Sequence, residues 1–181
     1  EMRQGALGRE FARRFGAYKS RVVKPFFRDH FARIDRQVVL MDVLGAIHAG
    51  PPAVEDMRRA MADILTAFRP GRTGWLAQLL GARRVERILF AATKADHLNH
   101  VQHPRLTAIT AAMLREARDR ADFSGARTDA MSIASLRTTT EEIIRQDGED
   151  LPAVRGTLMD GRNAAFYPGE LPANPAELLV P

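Results

Sequence analysis

From Gly5 to Lys24 apolar side chains recur every three or four positions, at Leu7, Phe11, Phe15, Tyr18 and Val22. That period lays them along one stripe of a helix, with Arg9, Arg13, Arg14, Lys19 and Arg21 mainly elsewhere. Pro25 is expected to end this helix or to start the next turn. Phe26, Phe27, Phe31 and Ile34 then read as a short second helix or an irregular packing segment. The run QVVLMDV, Gln37 to Val43, is β-branched and apolar on both faces, the pattern of a strand covered on both sides. Pro51-Pro52 opens a helix whose buried stripe is Val54, Met57, Met61, Ile64, Leu65 and Phe68, and Arg69-Pro70-Gly71 stops it. Gly74 to Leu80 reads as a short helix carrying Trp75, Leu76 and Leu79. Ile88 to Ala92 is a second strand. Pro104 begins a helix with Leu106, Ile109, Met113, Leu114 and Ala117 in register, and Ala130 to Ala134 is a third strand.

Strand, helix, strand, helix, strand predicts an α/β fold, a mostly parallel sheet flanked by helices in three layers. The end of the chain differs. Val154 to Leu158 and Ala164 to Tyr167 flank Asp160-Gly161, the form of a C-terminal β-hairpin, and an extended tail follows from Pro168. The expected organisation is a core over 1–150, with the N-terminal helical segment, and a hairpin and tail over 151–181 packed on the same domain.

Composition narrows the classes. The 181 residues are 45% hydrophobic and 27% charged, ordinary for a globular chain, and no apolar run reaches a membrane-spanning length. Cysteine is absent, which removes disulfides, thiol catalysis and cysteine metal sites. The net charge is +5. Its arginines are spread along helices among acids, the pattern of a solvated surface, and no nucleic-acid motif accompanies them, so no nucleic-acid partner is expected. A start at Glu1-Met2 is the start expected of a piece of a longer protein.

In an open parallel sheet, ligands bind beyond the carboxyl ends of the strands. The first strand ends in Asp42-Val43-Leu44-Gly45, the second in Thr93-Lys94-Ala95-Asp96, the third in Ala134-Ser135-Leu136, all on one rim. An acid ending an apolar strand has the form of a Walker B element, whose carboxylate holds Mg²⁺ through water beside nucleotide phosphates. Asp42 is that candidate, and the alternative is an acid that caps the following turn. Gly45 could bring its N–H to a terminal phosphate. Thr-Lys-Ala-Asp matches the [NT]-K-x-D element that reads guanine. A carboxylate accepts the N1–H and 2-amino donors of guanine, and adenine has no such pair on that edge. Asp96 would take this role, the Lys94 stem would cover the ring, and the Thr93 hydroxyl would tie the loop to its neighbours. The alternative is a strand-to-loop junction with surface charge. Ala134 and Ser135 resemble the Ser-Ala loop that meets the guanine carbonyl through backbone N–H groups, or form a tight turn. His48 lies past the first strand end and could position a water, or be structural. His97, His100 and His103 are spaced for a transition metal only if helical, and polar loop histidines are the fuller reading. No G-x-x-x-x-G-K-[ST] phosphate loop occurs in the 181 residues.

Four stretches together resemble the YcjX-like family of bacterial P-loop NTPases. They are Tyr18 to Leu44, His48 to Leu65, ILFAATKADH (Ile88 to His97) and FYPGELPA (Phe166 to Ala173). Family members are larger and carry their P-loop upstream of the region matched here. The resemblance implies a P-loop NTPase-like, G-domain-like core over 1–150, nucleotide binding with slow hydrolysis, a link to stress responses, and a cytoplasmic location, peripheral to the inner membrane as a further case. An inner-membrane protein is the implied partner. By match to the motifs, Thr93, Lys94 and Asp96 read the base, Ala134 and Ser135 flank it, and Asp42 serves Mg²⁺, with GTP or GDP as ligand. Relatives often carry glutamine where Gly45 stands and asparagine where His48 stands. An ATPase of the same fold and a non-catalytic interaction module are the competing functions.

Overall fold

The three apolar runs become the strands of one sheet: β1 (Arg36–Met41), β2 (Arg87–Ala92) and β3 (Arg127–Ser132), in the order β1-β2-β3. The structure, a computed structural model, describes residues 2–29, 35–67, 86–120 and 126–179. Phe31, Ile34, Phe68, the stop at 69–71 and the helix expected over 74–80 lie outside the described residues. β2 and β3 pair in parallel, from Arg87 opposite Arg127 to Ala92 opposite Ser132. β1 runs the same way, because Glu86 N–H donates to the Asp35 carbonyl where the strands begin and Thr93 N–H to the Met41 carbonyl where they end. Parallel neighbours need a crossover. Helix α4 (Pro51–Ala67), preceded by α3 (Val43–Ala49), lies between β1 and β2, and α5 (His103–Arg120) between β2 and β3.

The core sits where α5 packs on β2, β3 and α4. Ile88, Phe90, Ala91 and Ala92 of the central strand are buried, as are Leu106, Ile109, Met113, Leu114 and Ala117 of α5 and Val54, Met61 and Leu65 of α4. Truncating one of the larger of these to alanine costs about 2–5 kcal/mol. β1 departs from the expected cover on both sides. It stands at the sheet edge, with Val38 and Leu40 exposed on one face and Met41 buried on the other. It also ends at Met41 rather than Val43, because Asp42 starts a helix. Arg58 ties the layers: its buried guanidinium meets Glu116 of α5 and donates to the Leu179 carbonyl of the tail.

Two compact units divide the chain, Glu1–Gln37 with Pro70–Glu86, and Val38–Arg69 with Arg87–Pro181. The first contains α1 (Met2–Tyr18) and α2 (Lys24–Asp29). Pro25 does not end the helix; of the two expectations for it the second holds, since it lies in the first turn of α2. Lys19–Val23 forms a π turn in which Lys24 N–H reaches back to the Lys19 carbonyl. The wider turn carries the chain past a residue whose ring crowds the preceding turn and which lacks an N–H. The stripe Leu7, Phe11, Phe15, Tyr18, Val22 has the period expected of it, and all five side chains are exposed.

A second sheet closes the other unit. β4 (Thr140–Gln146), β5 (Glu149–Thr157) and β6 (Asn163–Phe166) pair antiparallel in that order. The expected hairpin is β5–β6, with Gly161 at φ 83° in its loop. The additional strand β4 turns into β5 through Asp147-Gly148, both at positive φ, the geometry of a type I′ turn. The tail after it is held by side chains. Gln102 donates to the Gly169 carbonyl and accepts from Leu171 N–H, and Arg105 meets Glu170 and the Leu171 carbonyl.

Candidate functional site

The carboxyl ends of β1 and β2 lie side by side, joined by two bonds to one carbonyl. Thr93 N–H donates to Met41 O at 2.9 Å and the Thr93 hydroxyl donates to it at 3.1 Å. Thr93 therefore does tie the second rim element to the first. The third is joined in turn, since Ile133 N–H donates to Ala92 O and Ile133 O accepts from Ala95 N–H. Ala134 and Ser135 follow as exposed residues beyond the end of β3.

Asp42 has two partners. One carboxylate oxygen accepts Gly45 N–H at 3.0 Å, which caps α3. The other meets Lys94 Nζ at 2.5 Å. The capping alternative is thus realised, and the Gly45 N–H expected for a phosphate is bonded to Asp42. A Cβ on residue 45 would stand 2.8 Å from the Asp42 carboxylate, so glycine keeps the room that the acid occupies. The Lys94 ammonium, against partial burial and with help from Gly45 N–H, holds the Asp42 carboxyl below its ordinary range. Lys94 reaches Asp42 from a left-handed backbone, φ 61°, which costs a non-glycine residue about 1 kcal/mol. Strain of this kind is concentrated at functional sites.

Asp96 is held differently. Thr138 N–H and the Thr138 hydroxyl both donate to its Oδ2, at 3.1 and 2.8 Å. The Thr139 hydroxyl donates to the Asp96 carbonyl. Partial burial pushes the Asp96 carboxyl up, but the two Thr138 donors outweigh it and leave the group below its ordinary range. Neither threonine belongs to the three motifs. The run Thr138-Thr139-Thr140, just past the third rim element, was the available signal.

A cavity of about 440 Å³ opens on this rim. Asp42, Gly45, His48, Lys94 and His97 line one side, and Val154, Leu158, Ala164 and Phe166 of β5, β6 and their loop line the other. His48 therefore faces the same space as Asp42 and Lys94. The three clustered histidines part company: His97 lines the cavity, His100 pairs with Glu141, and His103 Nε2 bonds the Ala95 carbonyl. Among the described residues no group of three or more His, Asp or Glu side chains is placed to hold a metal ion. One carboxylate, Asp42, suits Mg²⁺ only in the manner of a nucleotide site, where water and phosphate oxygens supply the other ligands. Glu141 also pairs with Arg137, in the loop after β3. Among the described residues no helix is long and apolar enough to cross a membrane.

A family model described as the YcjX-like family, DUF463, matches residues 1–181. The "Ras-like GTPase YcjX" of Escherichia coli (strain K12) is 40% identical over 161 residues, 88% of this chain and 34% of that protein. The Shewanella oneidensis protein of the same description is 35% identical over 160 residues, 88% of this chain and 33% of its own. The chain spans about a third of the length of these curated relatives.

Proposed function

The chain belongs to the YcjX-like family, and from that premise we propose that it carries the base-reading and Mg²⁺-facing rim of a guanine-nucleotide-binding P-loop NTPase, a slow GTP hydrolase. The family ties the chain to the P-loop NTPase superfamily, and the phosphate loop itself is absent from the 181 residues. The observation that carries the guanine reading is the donor pair on Asp96. A carboxylate that takes an N–H and an O–H from Thr138 is chemically suited to the N1–H and 2-amino donors of guanine and mismatched to adenine. Lys94 and Thr93 flank it on the same loop. Ala134 and Ser135 supply backbone N–H groups for the guanine carbonyl. Asp42 faces Mg²⁺ through water once Lys94 withdraws, and His48 is the candidate to position the attacking water. The description of two relatives as Ras-like GTPases supports the same class.

The test is a nucleotide swap in the full-length protein. Asp96→Asn replaces a two-acceptor edge with one acceptor and one donor. It should weaken GDP and GTP binding and improve binding of xanthosine nucleotides, whose 2-position is an acceptor. Guanine affinity unmoved by Asp96→Asn removes the base-reader role. A second function, a non-catalytic interaction module, is favoured by the exposed apolar and aromatic stripe of α1; binding of neither GDP nor ADP by the full-length protein would select it. The inner-membrane protein partner belongs to the same proposal, and retention of the protein by washed inner-membrane vesicles only when they contain that partner is its check.

A further inference from the structure

Asp96 Oδ2 has two lone-pair sites, and Thr138 fills both: its backbone N–H at 3.1 Å and its hydroxyl at 2.8 Å converge on that one atom. The Thr139 hydroxyl holds the Asp96 carbonyl beside it, so adjacent threonines grip one residue at two points. A bidentate base needs both carboxylate oxygens, one for each donor. Guanine can therefore complete its second bond only if Thr138 gives one up.

We propose that Thr138 is a specificity gate of the base site, an internal donor pair that stands where the guanine edge must go and yields only to a ligand that replaces its bonds. This rests on the guanine reading of Asp96. The hydroxyl is the leaf that moves. It sits on an exposed side chain whose rotation alone breaks its bond to Asp96, whereas the N–H moves only with the backbone. Adenine brings an acceptor to this edge and cannot satisfy the carboxylate that Thr138 would vacate, so the closed state persists against it. Discrimination then comes from the self-occupied state as well as from the bound one, since a ligand that leaves buried or bonded polar groups unpaired is rejected strongly. Affinity measured for guanine is lowered by the fraction of time the site is closed.

The test uses the full-length protein with Mg²⁺ and a fluorescent GDP analogue, comparing wild type, Thr138→Val, Thr138→Ser and Asp96→Asn. Valine keeps the shape and the N–H and removes the competing hydroxyl. A hydrogen bond to a charged acceptor is worth about 1.5–3 kcal/mol, and the low end of that range, fitting for an exposed side chain, is about a tenfold change. Thr138→Val should therefore bind GDP about tenfold tighter through a faster association rate, with dissociation unchanged and ADP binding unmoved. Thr138→Ser, which restores the hydroxyl, should behave as wild type. If Thr138→Val binds GDP equally or more weakly while Asp96→Asn loses GDP and gains xanthosine diphosphate, the gate is wrong and the base reader stands. If Asp96→Asn leaves GDP binding unchanged, the base reader fails and the gate falls with it.

Discussion

The two acids of the rim, Asp42 and Asp96, are both satisfied within the chain, but by opposite chemistry. Asp42 is met by a cation, the Lys94 ammonium, and Asp96 by neutral donors, the N–H and hydroxyl of Thr138. Each partner shares the chemistry of the ligand proposed for that corner: positive charge where Mg²⁺ belongs, a donor pair where guanine belongs. Partner chemistry thus separates two carboxylates that their strand-end positions alone do not. It also follows that each ligand competes with a bond already made. Both acids are only partly buried, and the exposed Asp42–Lys94 pair is worth at most about 1 kcal/mol, so the competition at Asp42 is the milder of the two.

The comparison breaks first if both acids respond alike. Asp96→Asn should reduce GDP affinity by roughly 100-fold with or without Mg²⁺, because two bonds to a charged acceptor are spoiled. Asp42→Asn should reduce it by roughly tenfold, and only when Mg²⁺ is present. Parallel titrations with Mg²⁺ and with EDTA read this directly, and an equal loss in both variants would erase the distinction between the corners. Next, Lys94→Met keeps an apolar stem for the base and removes the charge that Mg²⁺ must displace. Its half-saturating Mg²⁺ concentration should fall about threefold, in keeping with the small worth of an exposed ion pair. An unchanged Mg²⁺ requirement would mean that Lys94 and the metal do not compete.

Acidity sharpens the same contrast. The Asp42 carboxyl is depressed chiefly by Lys94. A group whose folded value is depressed adds stability that is complete above its unfolded value, about 3.9, and is lost as pH falls through the folded value. The midpoint difference between wild type and Lys94→Met in urea should accordingly be present at pH 7 and shrink below pH 4. Growth of that difference toward acid would contradict the assignment. The smallest effect is expected at Gly45. Alanine within a helix ordinarily gains about 1 kcal/mol over glycine. Here its Cβ would press on the Asp42 carboxylate, so Gly45→Ala should bring no rise in melting temperature and a weaker Mg²⁺ response.

Much of the fold was legible because burial imposes a period. Ile109, Met113 and Ala117 of α5 and Ile88 and Phe90 of β2 are buried as their spacing requires. A period fixes which side chains share a face and says nothing of what covers it. That is why Phe11 and Phe15 of α1 have the same pattern as α5 and stand exposed, and why Val38 and Leu40 do so at the edge of the sheet. β4 was hidden by its composition, since TEEIIRQ has few apolar positions to mark. Its turn, Asp147-Gly148, was nevertheless a strong local signal for a hairpin. At the rim, Asp42, Lys94 and Asp96 stood out as polar residues ending apolar strands. Their partners did not, because Lys94 lies 52 positions from Asp42 and Thr138 lies 42 from Asp96. Such pairings are made by the strand order, which a local pattern does not contain.

The central claim is that this rim reads guanine, and the most direct test is a calorimetric titration of the full-length protein with GDP and with ADP in the presence of Mg²⁺. A preference for GDP of tenfold or more is the predicted result. Equal affinity, or a preference for ADP, would contradict it and reduce Thr93-Lys94-Ala95-Asp96 to the end of a strand.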